Sequence, residues 1–461
     1  MIILGTNSIK DSGYTVDNSV RFNKADAPAL KRNSMGTATN RKKWTLSMWV
    51  KRSTTAQAML ASFDGAKSYF QFQSGGQLEV NDVPVSTFNY RLVTNAVYRD
   101  LSAWMHIVIA YDSTQGTDSN RLKLYVNGEQ PSLGTATYPS SDFEPEVNST
   151  GSHKYGSYDD STDFAFDGYF AEIVFIDGTQ YAASDFGEFD EDSGIWKPID
   201  VSGLTFGTNG HYLDFESSGN LGNDANGGTD FTANNLTAVD QSTDTCTNNF
   251  ATMNPLDVPA SNQPTFSEGN LKVTSPSAAG TANFGGASTF AVSSGKWYVE
   301  AKATVGAGGY SRNRIGITGN ESTARLNNSL GANSYEYFYD SEAGNSNAGS
   351  YGNSYTTGDI IGIALNLDDN ELKFYKNGTV QNSGTAISIT ASSSTSIGGY
   401  KITQGDSSGV SGATSTFEFN FGNPSFTISS GNADGNGYGN MEFEIPSGYF
   451  CLNSKNLAEY G

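Results

Sequence analysis

The stretch Leu122–Gln130, LKLYVNGEQ, decides the fold, and a close copy, LKFYKNGTV, occurs at Leu372–Val380. In both copies apolar and polar residues alternate, which is the period of a β-strand with one buried face. The dipeptide Asn-Gly follows each time, at Asn127-Gly128 and Asn377-Gly378. A type I′ turn needs positive φ at both central residues, which Asn and Gly tolerate, so each copy predicts a β-hairpin. Because the copies lie about 250 residues apart, they predict two β-sandwiches of similar construction.

Strand patterns continue outward from the hairpins. Trp44–Lys51 (WTLSMWVK) alternates, whereas Trp104–Tyr111 (WMHIVIAY) is apolar on both faces, which predicts a central strand covered on both sides. Tyr169–Ile176 (YFAEIVFI) runs into Asp177-Gly178, which predicts another hairpin turn. Only short windows such as Ala182–Glu188 could hold a turn of helix. The predicted fold class is therefore all-β, with two antiparallel β-sandwiches joined by an irregular connector.

Composition sets the predicted domain boundaries. Residues 1–200 form the first sandwich. Residues 201–290 form a connector with short strands, since this stretch is rich in Gly, Asn, Asp and Ser and holds several prolines. Residues 291–428 form the second sandwich, and residues 429–461 are predicted to be an extended C-terminal tail.

The charge balance argues against several classes of partner. The 461 residues include 27 Lys and Arg against 48 Asp and Glu, a net charge of −21. Nucleic-acid binding needs positive charge to displace counterions, so no nucleic-acid partner is predicted. The start of the chain lacks the positive region and apolar run of a signal peptide. No stretch approaches the ~20 apolar residues of a membrane span, so membrane insertion is not predicted.

The two cysteines, Cys246 and Cys451, lie far apart in the sequence. Two cysteines do not make a disulfide framework. Free thiols in a chain made in a reducing cytoplasm are the simpler interpretation, and a disulfide between them stays open.

Four segments of the first half together resemble a laminin-G/concanavalin A-like lectin domain. They are, in chain order, Trp44–Lys51, Trp104–Asp112, Leu122–Gly128 and Phe166–Asp177 (FDGYFAEIVFID). The resemblance covers about the first 180 residues. It implies that the first sandwich is a concanavalin A-like jelly roll.

Four segments of the second half resemble a SPRY domain. They are GKWYVE at Gly295–Glu300, RIGIT at Arg314–Thr318, TGDIIGIALNLDDNELKFYKNG at Thr357–Gly378 and FNFGNPSF at Phe419–Phe426. The SPRY family is also a bent antiparallel sandwich, and its members commonly bind protein partners. The resemblance therefore implies a SPRY-like second sandwich.

The order of the two modules is similar to that in virion proteins of marine bacteriophages, including cyanophages. GTNGHYLDF at Gly207–Phe215 and PSGYFCLNSKNL at Pro446–Leu457 are part of this similarity. It implies a non-enzymatic virion structural protein, made in the host cytoplasm and exposed on the particle as a tail fibre, appendage or capsid-associated knob. The implied partners are other virion proteins, further copies of the chain and a host-surface glycan. The alternative is a purely structural decoration protein that mediates subunit contacts.

Aromatic residues in Gly- and Ser-rich loops are the candidate ligand-binding residues. The C–H faces of sugar rings stack on tyrosine, while sugar hydroxyls need amide or carboxylate partners. The candidates are Tyr155, Tyr158, Asp159, Asp160, Tyr351 and Tyr355. The alternative interpretation is that these rings cover a sandwich edge or a subunit interface.

Calcium binding and glycan cleavage are the remaining candidate chemistries. Laminin-G modules often hold Ca²⁺ at the sandwich rim, which makes Asp64 and Asp112 candidate ligands. Glycan cleavage needs two carboxylates about 5–10 Å apart. The nearest pattern, Glu188–Ser193 (EFDEDS), lacks the last glutamate of the comparable motif. His106 lies inside an apolar strand and is predicted to be a core residue, so no catalytic residue is predicted.

Overall fold

The computed structural model of the protein describes most of the chain in two compact units, residues 13–247 and 248–461. The described residues are 13–158, 160–258, 263–275, 283–305, 313–321, 333–338, 343–344, 350–406 and 414–461. Within these ranges, no helix has the length and apolar character needed to cross a membrane. The predicted all-β fold class is confirmed.

The first unit is a sandwich of two antiparallel sheets. Its strands are β1 (Ser19–Phe22), β2 (Ala29–Arg32), β3 (Lys43–Arg52), β4 (Ala58–Phe63), β5 (Ser68–Phe72), β6 (Gln77–Asp82), β7 (Tyr90–Val97), β8 (Met105–Asp112), β9 (Leu122–Val126), β10 (Leu133–Thr137), β11 (His153–Tyr155), β12 (Gly168–Asp177), β13 (Gly187–Phe189), β14 (Trp196–Pro198), β15 (His211–Leu213), β16 (Thr232–Asn234) and β17 (Gln241–Ser242). One sheet has the order β17-β1-β12-β3-β8-β9, with β15 also paired to β12. The other has the order β10-β7-β6-β5-β4-β11-β2-β16, and β13 pairs with β14 separately.

The core of the first unit lies between these sheets. Trp44 on β3 stacks on Tyr111 of β8 with ring centroids 5.1 Å apart, and both side chains are fully buried. Val108 on β8 points the other way, into a second apolar cluster with Phe186 and Phe206 from the chain after β12. Every residue of β8 is buried, which confirms the predicted central strand covered on both faces.

The second unit is also built from two sheets. Its elements are β18 (Thr265–Ser267), β19 (Lys272–Thr274), β20 (Asn283–Ala287), β21 (Lys296–Val305), β22 (Asn313–Thr318), β23 (Ser334–Phe338), β24 (Ala343–Gly344), β25 (Ile360–Asn366), β26 (Glu371–Lys376), β27 (Thr379–Val380), β28 (Ile387–Ser388), β29 (Lys401–Asp406), β30 (Ser415–Asn420), β31 (Phe450–Cys451) and the helix α1 (Ser454–Tyr460). The larger sheet has the order β18-β19-β30-β21-β25-β26-β27, with β28 on β26 and β31 on β21. The smaller sheet has the order β20-β29-β22-β23-β24.

The two predicted Asn-Gly hairpins are confirmed. The φ angles are 50° and 83° at Asn127 and Gly128, and 47° and 75° at Asn377 and Gly378. The prediction of a third hairpin turn, at Asp177-Gly178, is wrong. The strand that pairs with β12 after this dipeptide is β15, more than 30 residues later, so no hairpin forms here.

The predicted connector and tail contribute directly to the sandwiches. β15, β16 and β17 pair with β12, β2 and β1, so the first part of residues 201–290 completes the first sandwich. β18 and β19 extend the larger sheet of the second unit. The tail is not wholly extended as predicted, because α1 occupies Ser454–Tyr460. The side chain of Asn453 caps this helix by accepting a hydrogen bond from the Asn456 amide at 2.9 Å.

Candidate functional site

Tyr155 is a core residue of the first sandwich. It lies on β11 with no exposed surface, which corrects the predicted position in an exposed loop. His211 Nδ1 lies 3.1 Å from the carbonyl of Asn209 and donates to it, which leaves Nε2 to accept from the Tyr155 hydroxyl at 2.7 Å. The ring of Tyr155 therefore presents no face on which a ligand could stack.

Tyr351 and Tyr355 are also buried, in the core of the second sandwich. The Tyr355 hydroxyl donates to the carbonyl of Asn313 at 2.8 Å, and the Tyr351 hydroxyl accepts from the Phe374 amide at 3.3 Å. Both rings pack beside Tyr337. The prediction that these tyrosines face solvent is thus corrected, because their hydroxyls and rings are used inside the sandwich.

Tyr158 and Asp160 do lie at a surface, while Asp159 lies outside the described residues. The ring of Tyr158 meets Tyr69 of β5 edge to face, with centroids 5.8 Å apart. Asp160 accepts from Lys31 Nζ at 2.7 Å and from Lys154 Nζ at 2.8 Å. This part of the predicted loop therefore covers the outer face of the eight-stranded sheet.

That outer face carries a row of polar side chains, of which Arg91, Tyr69 and Lys31 are partly exposed and the others are buried. Phe70 and Phe72 on β5 point into the core, so Tyr69, which precedes Phe70, points outward. The residues that pair with Tyr69, and with one another, on neighbouring strands also point outward. Together they form a set from six strands, which we call the polar row. Its members are, in order across the sheet, Arg91, Asn81, Tyr69, Ser62, Lys154 and Lys31. With strands about 4.8 Å apart, the polar row spans about 24 Å.

The charges beside the polar row are held in place by hydrogen bonds. Glu79 on β6 accepts from Arg91 at 2.6 Å, from Gln73 at 2.7 Å and from Gln71 at 2.8 Å. Burial opposes the charge of this carboxylate, but the three donors outweigh burial and lower its pKa. Glu79 therefore stays ionised at neutral pH, and this buried carboxylate holds Arg91, Gln71 and Gln73 in place.

The sequence prediction missed most of the polar row. Tyr158 and Asp160 were predicted from loop composition, but Tyr69, Lys31 and Arg91 come from strands that are distant in sequence. The signal available was the alternation within the strands, which is clean around Ser62 and Arg91, since both lie between buried apolar residues. Which outward residues share a row depends on the register, and that is a property of the folded sheet.

The candidate calcium ligands bond to groups of the chain itself. Asp112 accepts from the Thr114 hydroxyl at 2.6 Å and from Gln115 at 2.8 Å, and it pairs with Lys43 at 3.2 Å. Asp64 pairs with Lys67 at 2.5 Å. Over the described parts of the chain, no three His, Cys, Asp or Glu side chains form a group that could hold a metal ion. Calcium binding at Asp64 and Asp112 thus stays a prediction from the sequence.

The acidic segment that suggested glycan cleavage forms a turn stabilised within the chain. Asp190 accepts from both the amide and the hydroxyl of Ser193, and this lowers the pKa of Asp190 to about 2. Lys197 lies 3.4 Å from Glu188 and 3.3 Å from Asp190. Both carboxylates are paired with Lys197, and the pKa of Asp190 is lowered, whereas a general acid needs a raised pKa.

Buried carboxyl groups with a raised pKa occur in both units, and Glu172 and Glu300 are examples. Burial raises the pKa of Glu172, on β12, to about 7, and the hydroxyl of Tyr212 donates to it at 2.7 Å. Burial also raises the pKa of Glu300, on β21, to about 7. Glu300 accepts from the backbone amides of Glu442 and Phe443, each at 2.8 Å. Both groups hold parts of their own unit together.

Both cysteines are free thiols, which agrees with the simpler interpretation of the sequence. His106 is buried as predicted. Its Nδ1 accepts from the indole of Trp196 at 2.9 Å, and its Nε2 donates to Ser47 Oγ at 2.7 Å.

The family comparisons match one domain in each unit. Residues 23–183 match the concanavalin A-like lectin/glucanases superfamily, through its laminin-G model, and residues 296–395 match the SPRY domain. Among curated proteins, none matches the chain significantly.

Solved structures match about a third of the chain each. The SPRY domain of human HERC1 has 14% identity and a TM-score of 0.29, over 36% of this chain and 96% of that one. Another human SPRY domain has 16% identity and a TM-score of 0.24, over 32% of this chain and 91% of that one. A native heptameric SAP-like pentraxin from Limulus polyphemus has 14% identity and a TM-score of 0.28, over 36% of this chain and 78% of that one.

Proposed function

We propose that this chain, which carries a concanavalin A-like lectin domain followed by a SPRY domain, is a non-enzymatic structural protein of a bacteriophage virion that binds a host-surface glycan. The observation that carries the glycan-binding part is the polar row. It places the partly exposed ring of Tyr69 between the partly exposed cations Arg91 and Lys31, which lie about 24 Å apart. Several sugar units of an extended glycan fit along such a length.

The chemistry of the polar row favours binding over cleavage. The carboxylates beside it, Glu79 and Asp160, are paired with Arg91 and with Lys31 and Lys154, and the pKa of each is lowered. For Asp160 the two lysines outweigh its burial. Glycoside hydrolysis needs one protonated carboxyl group opposite an ionised one. The exposed, ionised Asp160 suits hydrogen bonding to sugar hydroxyls instead, whereas the buried Glu79 holds Arg91 in position.

The virion placement rests on the order of the two modules and on the composition of the chain. An exposed particle protein is present in many copies, so weak binding at each site becomes strong overall through effective concentration. We propose other virion proteins and further copies of this chain as partners, at the particle surface.

A structural decoration protein is the second candidate. The burial of Tyr351 and Tyr355 favours it for the SPRY half, because these rings are unavailable for a ligand. In this alternative the second unit contacts neighbouring subunits, and the polar row is covered by a neighbouring copy.

Cryo-electron microscopy of the intact particle tests the proposal. We expect density for this chain on the outer surface, with Tyr69, Tyr158 and Arg91 facing solvent. A polar row buried between copies or against the shell would leave the decoration protein as the better function. Absence of the chain from purified particles would overturn both versions.

A further inference from the structure

A groove of about 460 Å³ lies beside the turn of the second hairpin. One wall is the end of β26 with its Asn-Gly turn, and the other is a segment of the C-terminal tail. Its lining includes Tyr375, Asn377, Thr379, Phe443, Glu444 and Ser447. This volume is within the usual range of small-molecule sites, about 300–1,000 Å³.

Hydrogen bonds hold both walls in position. The Asn377 side chain donates to Asp359 at 2.7 Å, which fixes the turn. Glu300 accepts from the backbone amides of Glu442 and Phe443, which fixes the tail segment against the larger sheet. A preformed site binds with less loss of conformational entropy than one that must be ordered by its ligand.

The lining offers ring faces, hydroxyls and one negative charge. Tyr375 and Phe443 are partly exposed aromatic residues, while Thr379 and Ser447 are exposed hydroxyl residues. Glu444 is exposed and is the one charged side chain among the described lining residues. A carboxylate disfavours an anionic ligand but accepts hydrogen bonds from hydroxyls.

We propose that this groove binds a neutral pyranoside, with its C–H face against Tyr375 or Phe443 and a hydroxyl donating to Glu444. The groove extends the proposed glycan-binding function, because it adds a second sugar site, in the other unit, to the polar row. The two sites share no residues, so they can be tested separately.

Saturation-transfer NMR on the full chain tests the groove. The probes are the methyl glycosides of glucose, mannose, galactose and N-acetylglucosamine, with glucuronate as the anionic comparison. The groove variants are Tyr375→Ala and the nearly isosteric Glu444→Gln, and Tyr69→Ala tests the polar row in the same experiment. Tyr125→Ala is the matched control, because Tyr125 occupies the same position of the first hairpin.

The expected result is saturation of at least one neutral glycoside, and weaker or no saturation of glucuronate. Affinity should fall by about tenfold or more in each groove variant, which corresponds to about 1.4 kcal/mol, and should be unchanged in Tyr125→Ala. If Tyr375→Ala fails to fold, Glu444→Gln decides the outcome. If the wild type shows no saturation, or if saturation is unchanged in the groove variants, the proposal that the groove binds a pyranoside is overturned. Saturation lost only in Tyr69→Ala also overturns it, but leaves the polar row and the proposed function standing.

Discussion

The two hairpins share a sequence, but different segments cover their turns. Around the first turn, the ring of Trp196 packs so closely that a Cβ on Gly128 would lie 2.4 Å from it, and its indole bonds to the buried His106. Around the second turn, Phe443 of the tail approaches Gly378 and leaves a groove beside it. A local sequence therefore determines the hairpin, whereas the segment that returns to cover it determines whether a site forms.

The two units also differ in their buried ionisable groups. All three histidines of the chain, His106, His153 and His211, are buried in the first unit, where burial lowers their pKa. The second unit has no histidine, and its buried Glu300 and Glu336 have a raised pKa because of burial. Similar folds are thus expected to respond in opposite ways to acid.

The largest expected effect separates the two cores. Trp44→Ala removes a fully buried ring from the first core, and Trp297→Ala removes one from the second. Each should lower the free energy of unfolding of its own unit by about 3–5 kcal/mol, through lost burial and a cavity. Hydrogen exchange measured by mass spectrometry should show faster exchange in the mutated unit only. Equal acceleration in both units for either variant would mean that the units share one cooperative transition.

Acid should destabilise the first unit and not the second. A neutral buried histidine gains no proton when folded, yet the unfolded chain binds one below about pH 6.5, so stability falls as the pH falls. Because their pKa values are about 3, His106 and His211 each lower the free energy of unfolding of the first unit by about 2 kcal/mol at pH 5. Burial raises the pKa of Glu172 and of Glu300 from 4.5 to about 7, so each of these stabilises its unit as the pH falls from 7 to 4.5.

Tryptophan fluorescence can follow this difference, because four of the five tryptophans lie in the first unit. The three histidines outweigh Glu172, so the thermal midpoint of the fluorescence transition should fall between pH 7 and pH 5. Hydrogen exchange of the second unit, corrected for the intrinsic rate at each pH, should stay constant or slow down. A fluorescence midpoint that rises toward pH 5 would contradict the assignment of buried neutral histidines.

The two turn glycines should differ in their tolerance of alanine. Both have positive φ, so alanine costs about 1–2 kcal/mol at either site. Gly128→Ala should cost more than Gly378→Ala, because Trp196 is tied to His106 and cannot easily move, whereas Phe443 lies beside an open groove. Urea unfolding of the two variants measures the difference. A larger loss for Gly378→Ala would mean that Phe443 is the more rigid neighbour.

The sequence alone was sufficient to predict local elements such as single strands and hairpin turns. Alternation predicted β9 at its observed bounds, and Asn-Gly predicted both type I′ turns, because these signals depend on neighbouring residues alone. The prediction of a hairpin turn at Asp177-Gly178 was wrong because the Asp177 side chain accepts hydrogen bonds from the backbone amides of Thr39 and Asn40. These contacts connect parts of the chain that are distant in sequence.

The candidate site was less predictable, since exposure is a tertiary property. Tyr155 and Tyr158 come from one loop sequence, yet the first lies in the core and the second at the surface. The difference arises because Tyr155 joins a strand and finds His211, which lies 56 residues away. The polar row needed the register of six strands, which no single segment encodes.

A glycan microarray probed with the wild type, Tyr69→Ala and Tyr125→Ala tests the central claim most directly. Both tyrosines are partly buried and lie on strands of opposite sheets in the first unit, so general destabilisation should affect both variants. We expect the wild type and Tyr125→Ala to retain the same glycans, and Tyr69→Ala to lose about tenfold or more in affinity. Binding by Tyr69→Ala at the wild-type level, or no glycan bound by the wild type, would contradict glycan recognition by the polar row.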